Sequence, residues 1–250
     1  MKRAAPLAAL PHKPMTEPDQ RAQQHTIAVA GIDTGVGKSY CTGLLARYLL
    51  SRSSGVSTMK LVQTGCSGIA EDILLHRRLM GLPLTAEDEA GISNPYVFTL
   101  PASPHLAASL EGKAVLEEKL NEAAAIMQER YEWLLVEGAG GLLVPLNAEL
   151  LLLDYLASRG WPLVLVSSPR LGSINHTRLS LEAIKNRGMR LLGLVYNLHG
   201  SYEPDMVRDT LRECRRALRD YGFAGTVVLV PDAKESAAIA WGPMLAQLRT

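Results

Sequence analysis

The chain has 250 residues, enough for one sizeable domain with a full hydrophobic core. Hydrophobic residues make up 47% and charged residues 20%, which is ordinary for a globular protein, and the formal net charge of +1 favours neither nucleic acid nor an anionic membrane as a partner. No segment approaches the ~18 consecutive apolar residues of a membrane span. The three cysteines are scattered without metal-ligand spacing, which indicates reduced thiols in a cytoplasmic protein.

The first 24 residues differ from the rest of the chain. They contain four prolines and show no sustained periodicity, and their one short apolar run is interrupted by Pro6. We therefore expect residues 1–24 to form a flexible tail and residues 25–250 to form a single domain.

Apolar, β-prone runs recur along this domain, and a helical pattern follows each of them. The predicted strands are His25–Gly31, Val56–Val62, Trp133–Glu137, Pro162–Ser168, Arg190–Asn197 and Thr226–Pro231. The predicted helices are Lys38–Arg52, Asp72–Met80, Val115–Arg130, Leu150–Arg159, Ile174–Arg187, Pro204–Tyr221 and Ser236–Arg249.

The strands contain continuous apolar runs, such as Leu134–Val136 and Leu163–Val166, rather than alternating ones. Such strands are buried on both faces, as in a parallel sheet covered by helices. The pattern therefore predicts an α/β fold with a single doubly wound, mostly parallel sheet and helices on both faces. The exception is Gly81–Pro101, a connection with three prolines, of a kind that often carries function.

The first strand runs into a glycine-rich turn that ends in Gly37-Lys38-Ser39, and a helix follows. Such a turn binds phosphates, because its amides point inward, the helix N-terminus adds its dipole and Lys38 adds a full charge. The Ser39 hydroxyl is placed to ligate Mg²⁺. Five residues separate Gly31 from Gly37, one more than in the standard phosphate loop, and the alternative is an ordinary tight turn. We expect Lys38 to face solvent when no ligand is bound.

Polar side chains also follow the carboxyl ends of the next strands, where ligands bind in open α/β sheets. Lys60 is placed to reach a γ-phosphate, with Thr64 just beyond it; the alternatives are a solvated lysine and a turn hydroxyl. Asp72 opens a helix, either as its N-cap or as an Mg²⁺ ligand. Glu137 ends a buried strand before Gly138–Gly141, where phosphate-loop ATPases place the second acidic partner of Mg²⁺. Its alternative is a solvated residue in a glycine-rich turn.

Two further strand ends carry polar groups. Ser173 opens the helix after the fourth strand, where it either caps the helix or belongs to an N-terminus that binds a carboxylate. His176, three residues on, is expected to be structural. Asn197 ends the fifth strand, either as a turn residue or as an amide that reads a purine edge. Ser103 is expected to cap a short helix.

Taken in order, these segments resemble those of the dethiobiotin synthetases, ATP-dependent enzymes of biotin synthesis. The similarity runs from about Thr26 to Pro231 and implies a P-loop NTPase-like fold. The motifs that carry it are Gly31–Ser39, Lys60…Thr64-Gly65, Asp72, Asn94-Pro95-Tyr96 with Ser103-Pro104-His105, Val136–Gly141, Arg170–His176 and Asn197. The extended phosphate loop, Glu-Gly-Ala-Gly-Gly and Leu-Gly-x-Ile-Asn-His are specific together and weaker singly.

The resemblance implies roles for the matching residues. Lys38 and Lys60 would be catalytic lysines that hold phosphate and stabilise the transition state. The Mg²⁺ ligands would be Ser39, Asp72 and Glu137. The ATP-binding residues would be Thr34, Gly35, Val36, Gly37, Lys38, Ser39, Tyr40, Asp72, Glu137, Gly138, Ala139, Gly140, Asn197, Pro231, Asp232 and Ala233. The substrate-binding residues would be Thr34, Thr64, Gly172, Ser173, Ile174 and Asn175, the last four from the neighbouring subunit of a homodimer.

The implied reaction converts 7,8-diaminononanoate, CO₂ or bicarbonate, and MgATP into dethiobiotin, ADP and phosphate. It passes through a carbamate and a carbamic-phosphoric anhydride, so it needs positioning and charge neutralisation rather than a protein nucleophile. The sequence departs from the family at Gly35, where an acidic residue is frequent, and at Leu61, where a proline follows the lysine. Gln63-Thr64 also replaces a small residue and a serine.

Two alternatives stay open. One is another amide-forming P-loop ligase, such as the synthetase part of cobyrinate amidases, although 250 residues leave no room for the glutaminase domain that those enzymes usually carry. The other is a P-loop partitioning or switch ATPase. Such proteins commonly have a signature lysine early in the loop, and Gly31–Thr34 contains none before Lys38.

Overall fold

The computed structural model describes residues 24–224, 226–232 and 238–249. The strands are β1 (His25–Gly31), β2 (Val56–Lys60), β3 (Val62–Thr64), β4 (Tyr96–Phe98), β5 (Trp133–Gly141), β6 (Leu163–Ser167), β7 (Leu191–Asn197) and β8 (Thr226–Val230). The helices are α1 (Lys38–Leu50), α2 (Glu71–Met80), α3 (Ala86–Glu89), α4 (Pro104–Leu110), α5 (Glu117–Arg130), α6 (Leu152–Ser158), α7 (Ser173–Asn186), α8 (Pro204–Asp220) and α9 (Gly242–Leu245), followed by a 3₁₀ turn over Ala246–Arg249.

Six strands form the central sheet in the order β2-β5-β1-β6-β7-β8, and every neighbouring pair is parallel. All residues of β2, β6 and β7 are buried, so both faces of the sheet are covered, as continuous apolar strands require. The predicted doubly wound α/β fold is confirmed. Because later strands lie on both sides of β1, the carboxyl end of β1 is the switch point at which such sheets bind ligands.

The stretch Gly81–Pro101 holds two elements that the sequence analysis missed. Thr85 and Asp88 cap α3 reciprocally: Thr85 Oγ1 accepts from the Asp88 amide at 3.4 Å, and Asp88 Oδ2 accepts from the Thr85 amide at 2.9 Å. Strand β4 pairs with β3 outside the main sheet. The strand predicted over Val56–Val62 is therefore split, because β2 pairs with β5 only as far as Lys60.

Two other predictions of element ends need correction. Strand β5 continues past Glu137 to Gly141, because Gly141 still pairs with Gly31 of β1. The helix predicted over Ser236–Arg249 is wrong, since residues 238–241 are not helical and α9 begins only at Gly242. Proline lacks an N–H and fits only the first helical turn, which is where Pro243 lies. Ser236 itself falls outside the described residues.

In the part of the chain that the structure describes, no helix has both the length and the apolar character needed to cross a membrane. The longest there, α8, has 17 residues and is rich in arginine and aspartate. The three cysteines are free; Cys41 and Cys214 are buried and Cys66 is half-buried.

Candidate active site

The phosphate-binding turn lies between β1 and α1, at the centre of the sheet. Gly37 precedes α1 in the left-handed region, with φ 87°, and a Cβ there would lie 2.1 Å from Nδ2 of Asn197. Asn197, at the end of β7, donates from Nδ2 to the Val36 carbonyl at 3.1 Å. Glycine is therefore required at this position, both for its backbone and for the close approach of Asn197.

Lys38 is buried, with 7% of its surface exposed, so the expectation that it faces solvent is wrong. Its Nζ folds back and donates to the Asp33 carbonyl at 2.9 Å. Burial, with the nearby charge of Lys60, lowers the pKa of Lys38 to about 8, although Glu137 and Asp72 oppose the shift. A buried ammonium held by a single carbonyl is poised to exchange that contact for phosphate oxygens.

Lys60 and the two acids meet in one ion-pair cluster. Residues Lys60 and Glu137 are register partners in β2 and β5, and Asp72 comes from the first turn of α2. Lys60 Nζ lies 2.6 Å from Asp72 Oδ2, 2.7 Å from Glu137 Oε1 and 3.0 Å from the Gly138 carbonyl. Lys60 and Glu137 are both buried, so neither is the solvated residue of the alternative interpretation. Ala70, not Asp72, is the N-cap of α2.

The electrostatics of this cluster keep Lys60 and Glu137 charged. Burial would lower the pKa of Lys60, but the carboxylates of Glu137 and Asp72 outweigh it and raise that pKa. Burial would raise the pKa of Glu137, yet the charge of Lys60 and the hydrogen bond from His76 hold it well below its usual range. Glu137 Oε1 also accepts from the Ser39 hydroxyl at 2.8 Å, which ties the start of α1 to the cluster.

His76 is a member of the cluster that sequence reasoning missed. Its Nε2 lies 2.8 Å from Glu137 Oε2, and the ring is fully buried. A signal was available, because His76 follows Asp72 by four residues in α2 and side chains at that spacing share a helix face. The sequence does not show how α2 lies against β5, so that spacing alone did not indicate Glu137 as the partner.

These groups surround one cavity of about 420 Å³. The predicted site residues that line it are Thr34, Gly35, Gly37, Lys38, Ser39, Tyr40, Lys60, Thr64, Asp72, Glu137, Ala139 and Gly140. The lining residues that were not predicted are Val62, Gln63 and Leu75. Two other predicted residues lie against the site through their carbonyls: that of Val36 accepts from Asn197, and that of Gly138 accepts from Lys60.

Two of the residues predicted to bind ATP contact the segment that follows Asn197. Tyr40 stacks on His199, with ring centroids 4.9 Å apart. Asp232 accepts from the Gly200 amide at 3.2 Å, next to Pro231 at the end of β8. Ala233 lies outside the described residues.

The start of α7 lies apart from this cavity: none of Gly172, Ser173, Ile174 and Asn175 lines it. Gly172, not Ser173, is the N-cap of α7, and the buried Ser173 Oγ has no hydrogen-bond partner among the described residues. Arg170 pairs with the Asp33 carboxylate and donates to the Thr34 carbonyl at 3.2 Å, so it joins this segment to the phosphate loop. His176 Nδ1 lies 3.3 Å from the same carboxylate, as a residue that braces the loop would.

A short helix elsewhere tests a smaller prediction. Ser103 is the N-cap residue of α4, as expected, but its side chain makes no capping hydrogen bond. Pro104 follows at the first helical position, where the missing N–H leaves one fewer donor to satisfy.

A strand, an extended glycine turn with lysine and serine, and a helix, set at the switch point of a doubly wound sheet, define a P-loop nucleotide-binding protein. A family model described as an AAA domain matches residues 25–232. The chain is 45% identical to the ATP-dependent dethiobiotin synthetase BioD 2 of Pasteurella multocida, over 77% of this chain and 91% of that protein. The chain belongs to the dethiobiotin synthetase family and is an ATP-dependent ligase.

Other relatives carry the same name. Identity is 46% to BioD of Chlorobaculum tepidum, over 81% of this chain and 85% of that protein. Identity is also 46% to BioD 2 of Haemophilus influenzae, over 73% of this chain and 95% of that protein. Among solved structures, the cell division protein MinD of Aquifex aeolicus aligns over 84% of this chain and 83% of its own, with TM-score 0.48 and 16% identity, which is too distant to bear on function.

Proposed function

We propose that this chain carboxylates 7,8-diaminononanoate and closes the product to dethiobiotin, with cleavage of ATP to ADP and phosphate. The observation that carries the proposal is the convergence of the phosphate loop, two lysines and two carboxylates on one cavity, in a member of this family. Such a cavity neutralises and orients phosphoryl groups, which is most of what this reaction demands of a protein.

The reaction divides into three steps. One amine of the substrate adds to CO₂ and loses a proton, giving a carbamate. A carbamate oxygen then attacks the γ-phosphorus of ATP, forming a carbamic-phosphoric anhydride as ADP leaves. The second amine attacks the carbamate carbon, expels phosphate and closes a five-membered cyclic urea. Because the nucleophile of each step is an amine of the substrate or its carbamate, the protein must supply positioning and charge rather than a nucleophile of its own.

The chain's own groups match these demands. The amides at the start of α1 and the ammonium of Lys38 would hold the β- and γ-phosphates. Lys60 Nζ, at the cavity wall between two carboxylates, would stabilise the charge that develops on the transferred phosphoryl group. Thr34 and Thr64 line the same cavity and would contact the diamine and its carbamate.

The donor set also fits Mg²⁺. Asp72 and Glu137 flank the ammonium of Lys60, which itself marks a place for a cation between two carboxylates, and Ser39 donates to Glu137. Among the described residues, no group of three or more His, Cys, Asp or Glu side chains could hold a metal without help. That composition suits Mg²⁺, which binds through few protein ligands and completes its shell with phosphate oxygens and water. When bound, Mg²⁺ would neutralise phosphate charge.

Product analysis tests the proposal. The protein is incubated with ATP, Mg²⁺, diaminononanoate and ¹³C-bicarbonate, and the products are followed by mass spectrometry. We expect dethiobiotin with the label in its urea carbon, in equal amount to ADP. If no labelled dethiobiotin forms and the diaminononanoate is not consumed, the proposal is refuted.

We further propose a homodimer in which α7 of one subunit receives the substrate carboxylate for the other. The support is that the start of α7 lies outside the cavity of its own chain, although Arg170 holds it beside the phosphate loop. The amides there and the unpartnered Ser173 hydroxyl suit an anion. A two-fold axis would build both sites from one repeated surface.

Replacing Ser173 tests this arrangement. Ser173→Glu places a carboxylate against the substrate's own, and we expect the KM for diaminononanoate to rise by about 10²-fold with little change in the KM for ATP. Ser173→Gln is the matched control, because glutamine has the size of glutamate without its charge. Steady-state kinetics on both variants give the comparison; equal KM values for diaminononanoate in the Glu and Gln variants would contradict the assignment.

Mixed dimers separate a shared site from a site within one subunit. A Lys38→Ala subunit paired with a Ser173→Glu subunit keeps one intact site if the residues act across the interface. Dimers assembled from differently tagged subunits and purified by both tags should therefore recover about half of the wild-type activity. Purified mixed dimers that are as inactive as either parent would contradict the shared site.

We also propose that residues 25–250 suffice for activity. The support is the composition of residues 1–24 and a family match that begins at residue 25. A chain that starts at Gln24 is expected to keep the wild-type kcat and melting temperature, within error, in parallel assays. A clear loss of either would show that the first residues contribute to the domain.

A further inference from the structure

The buried histidine of α2 joins two groups of the core. His76 Nε2 lies 2.8 Å from Oε2 of Glu137, and its Nδ1 lies 3.0 Å from Oγ1 of Thr58. The ring is fully buried. A buried imidazole is costly unless both nitrogens are bonded, and here both are.

The surrounding groups determine which nitrogen carries the proton. An ionised carboxylate only accepts hydrogen bonds, so His76 must donate from Nε2 to Glu137. Arg77 Nη1 donates to Thr58 Oγ1 at 3.0 Å, which leaves the Thr58 hydroxyl free to donate its own proton to Nδ1. Both ring nitrogens of His76 and the Thr58 hydroxyl are thus hydrogen-bonded. The bidentate pair of Arg77 with Asp88, at 2.7 and 2.8 Å, anchors this chain of bonds.

The two elements place these residues together through their own periodicities. Thr58 and Lys60 are two residues apart in β2 and therefore point to the same face of the sheet. Asp72 and His76 are four residues apart in α2 and therefore share a helix face. Helix α2 therefore places Asp72 at the cavity and His76 against Oε2 of Glu137, the carboxylate oxygen that Lys60 and Ser39 do not contact.

Glu137 is consequently held at both oxygens. Its Oε2 is taken by His76, while its Oε1 accepts from Ser39 and Lys60 at the cavity. Without His76, Oε2 would be a buried oxygen with no donor, and the carboxylate would gain by rotating toward the ammonium of Lys60. The bond from His76 prevents that rotation and keeps Oε1 directed at Ser39.

We propose that His76 is a positioning residue that orients the Glu137 carboxylate for Mg²⁺ and nucleotide. It touches neither ligand and acts only through Glu137. The inference rests on the proposed function insofar as Glu137 is a ligand of Mg²⁺. Partners of this kind typically affect metal affinity or activity by about 10–100-fold.

Two substitutions separate the hydrogen bond from the packing. His76→Leu fills the buried space with an apolar side chain and removes both bonds. His76→Gln places an amide N–H near the position of Nε2 and so restores the bond to Glu137. Leu120→Ala, in α5, is the matched control, because Leu120 is also fully buried but does not line the cavity.

The main readout is equilibrium binding of ADP by calorimetry at a series of Mg²⁺ concentrations, with thermal unfolding in EDTA as the check of folding. We expect His76→Leu to raise the Mg²⁺ concentration needed for half-maximal binding by about 10–100-fold. His76→Gln should recover most of that loss, and Leu120→Ala should bind like wild type whatever its melting temperature. A Leu variant with the wild-type Mg²⁺ dependence, or a Gln variant as impaired as Leu, would overturn the proposal.

Assays of dethiobiotin formation distinguish a failure of the role of His76 from a failure of the proposed function. Steady-state assays of the same proteins should show a lower kcat for His76→Leu and an unchanged KM for diaminononanoate. If wild type makes no dethiobiotin, the proposed function fails, while the binding series still decides the role of His76. If wild type makes dethiobiotin and the binding series shows no effect, only the role of His76 fails.

Discussion

Lys38→Ala is expected to leave no detectable dethiobiotin formation, a loss of at least about 10²–10³ in kcat, in a protein that remains folded. The ammonium of Lys38 supplies a full positive charge at the β- and γ-phosphates, and Lys60, which is paired with Asp72 and Glu137, has a separate role at the transferred phosphoryl group. Folding should survive because the lost contact is one hydrogen bond to the half-buried Asp33 in a loop. Dethiobiotin and ADP are measured in quenched time courses, and thermal unfolding reports whether the protein is folded.

A surface lysine provides the control for that experiment. Lys185 is exposed in the last turn of α7, so Lys185→Ala should behave as wild type in both measurements. A folded Lys38→Ala protein with near-normal kcat would mean that the loop does not neutralise phosphate during the reaction.

Glu137→Gln is expected to lower kcat by about 10²–10³ and to raise the Mg²⁺ concentration needed for half-maximal rate. The substitution keeps the size of the side chain but removes the charge that would balance the cation. The fold should tolerate it, since an amide oxygen can still accept from Lys60 and the amide N–H₂ can donate to Nε2 of His76 in its other tautomer. Activity titrated with Mg²⁺ at saturating ATP measures both effects.

Glu129, which is exposed in α5, supplies the control substitution Glu129→Gln. It should leave the Mg²⁺ titration unchanged. If Glu137→Gln gives the same titration as the control, the carboxylate is a structural partner of Lys60 rather than a ligand.

The sequence predicted the sheet well because its strands are buried on both faces. Continuous apolar runs such as Leu163–Val166 have few other interpretations. The six helices predicted between Lys38 and Tyr221 also begin and end within two residues of the prediction. The short elements α3 and β4 were missed, since four and three residues carry no measurable periodicity. The end of β5 was misplaced because glycines read as a turn, whereas pairing with β1 keeps them in the strand.

Side chains of the site were predictable where a motif or a strand end marks them. Lys60 and Glu137 were placed at the correct edge of the sheet, because carboxyl ends of parallel strands meet there, and Asp72 was correctly placed at the start of α2. Their direct ion pairs were not predicted, since they depend on the register of β2 with β5. Nor was the burial of Lys38, which depends on how the loop folds back onto Asp33.

The dependence of ATP turnover on diaminononanoate most directly tests whether this chain couples ATP cleavage to dethiobiotin formation. ADP release is measured with both diaminononanoate and bicarbonate, with each alone and with neither, at fixed Mg²⁺ and ATP. We predict fast turnover only when both are present, with one dethiobiotin formed for each ADP. Turnover of equal rate without diaminononanoate, as expected of a switch or partitioning ATPase, would contradict the account.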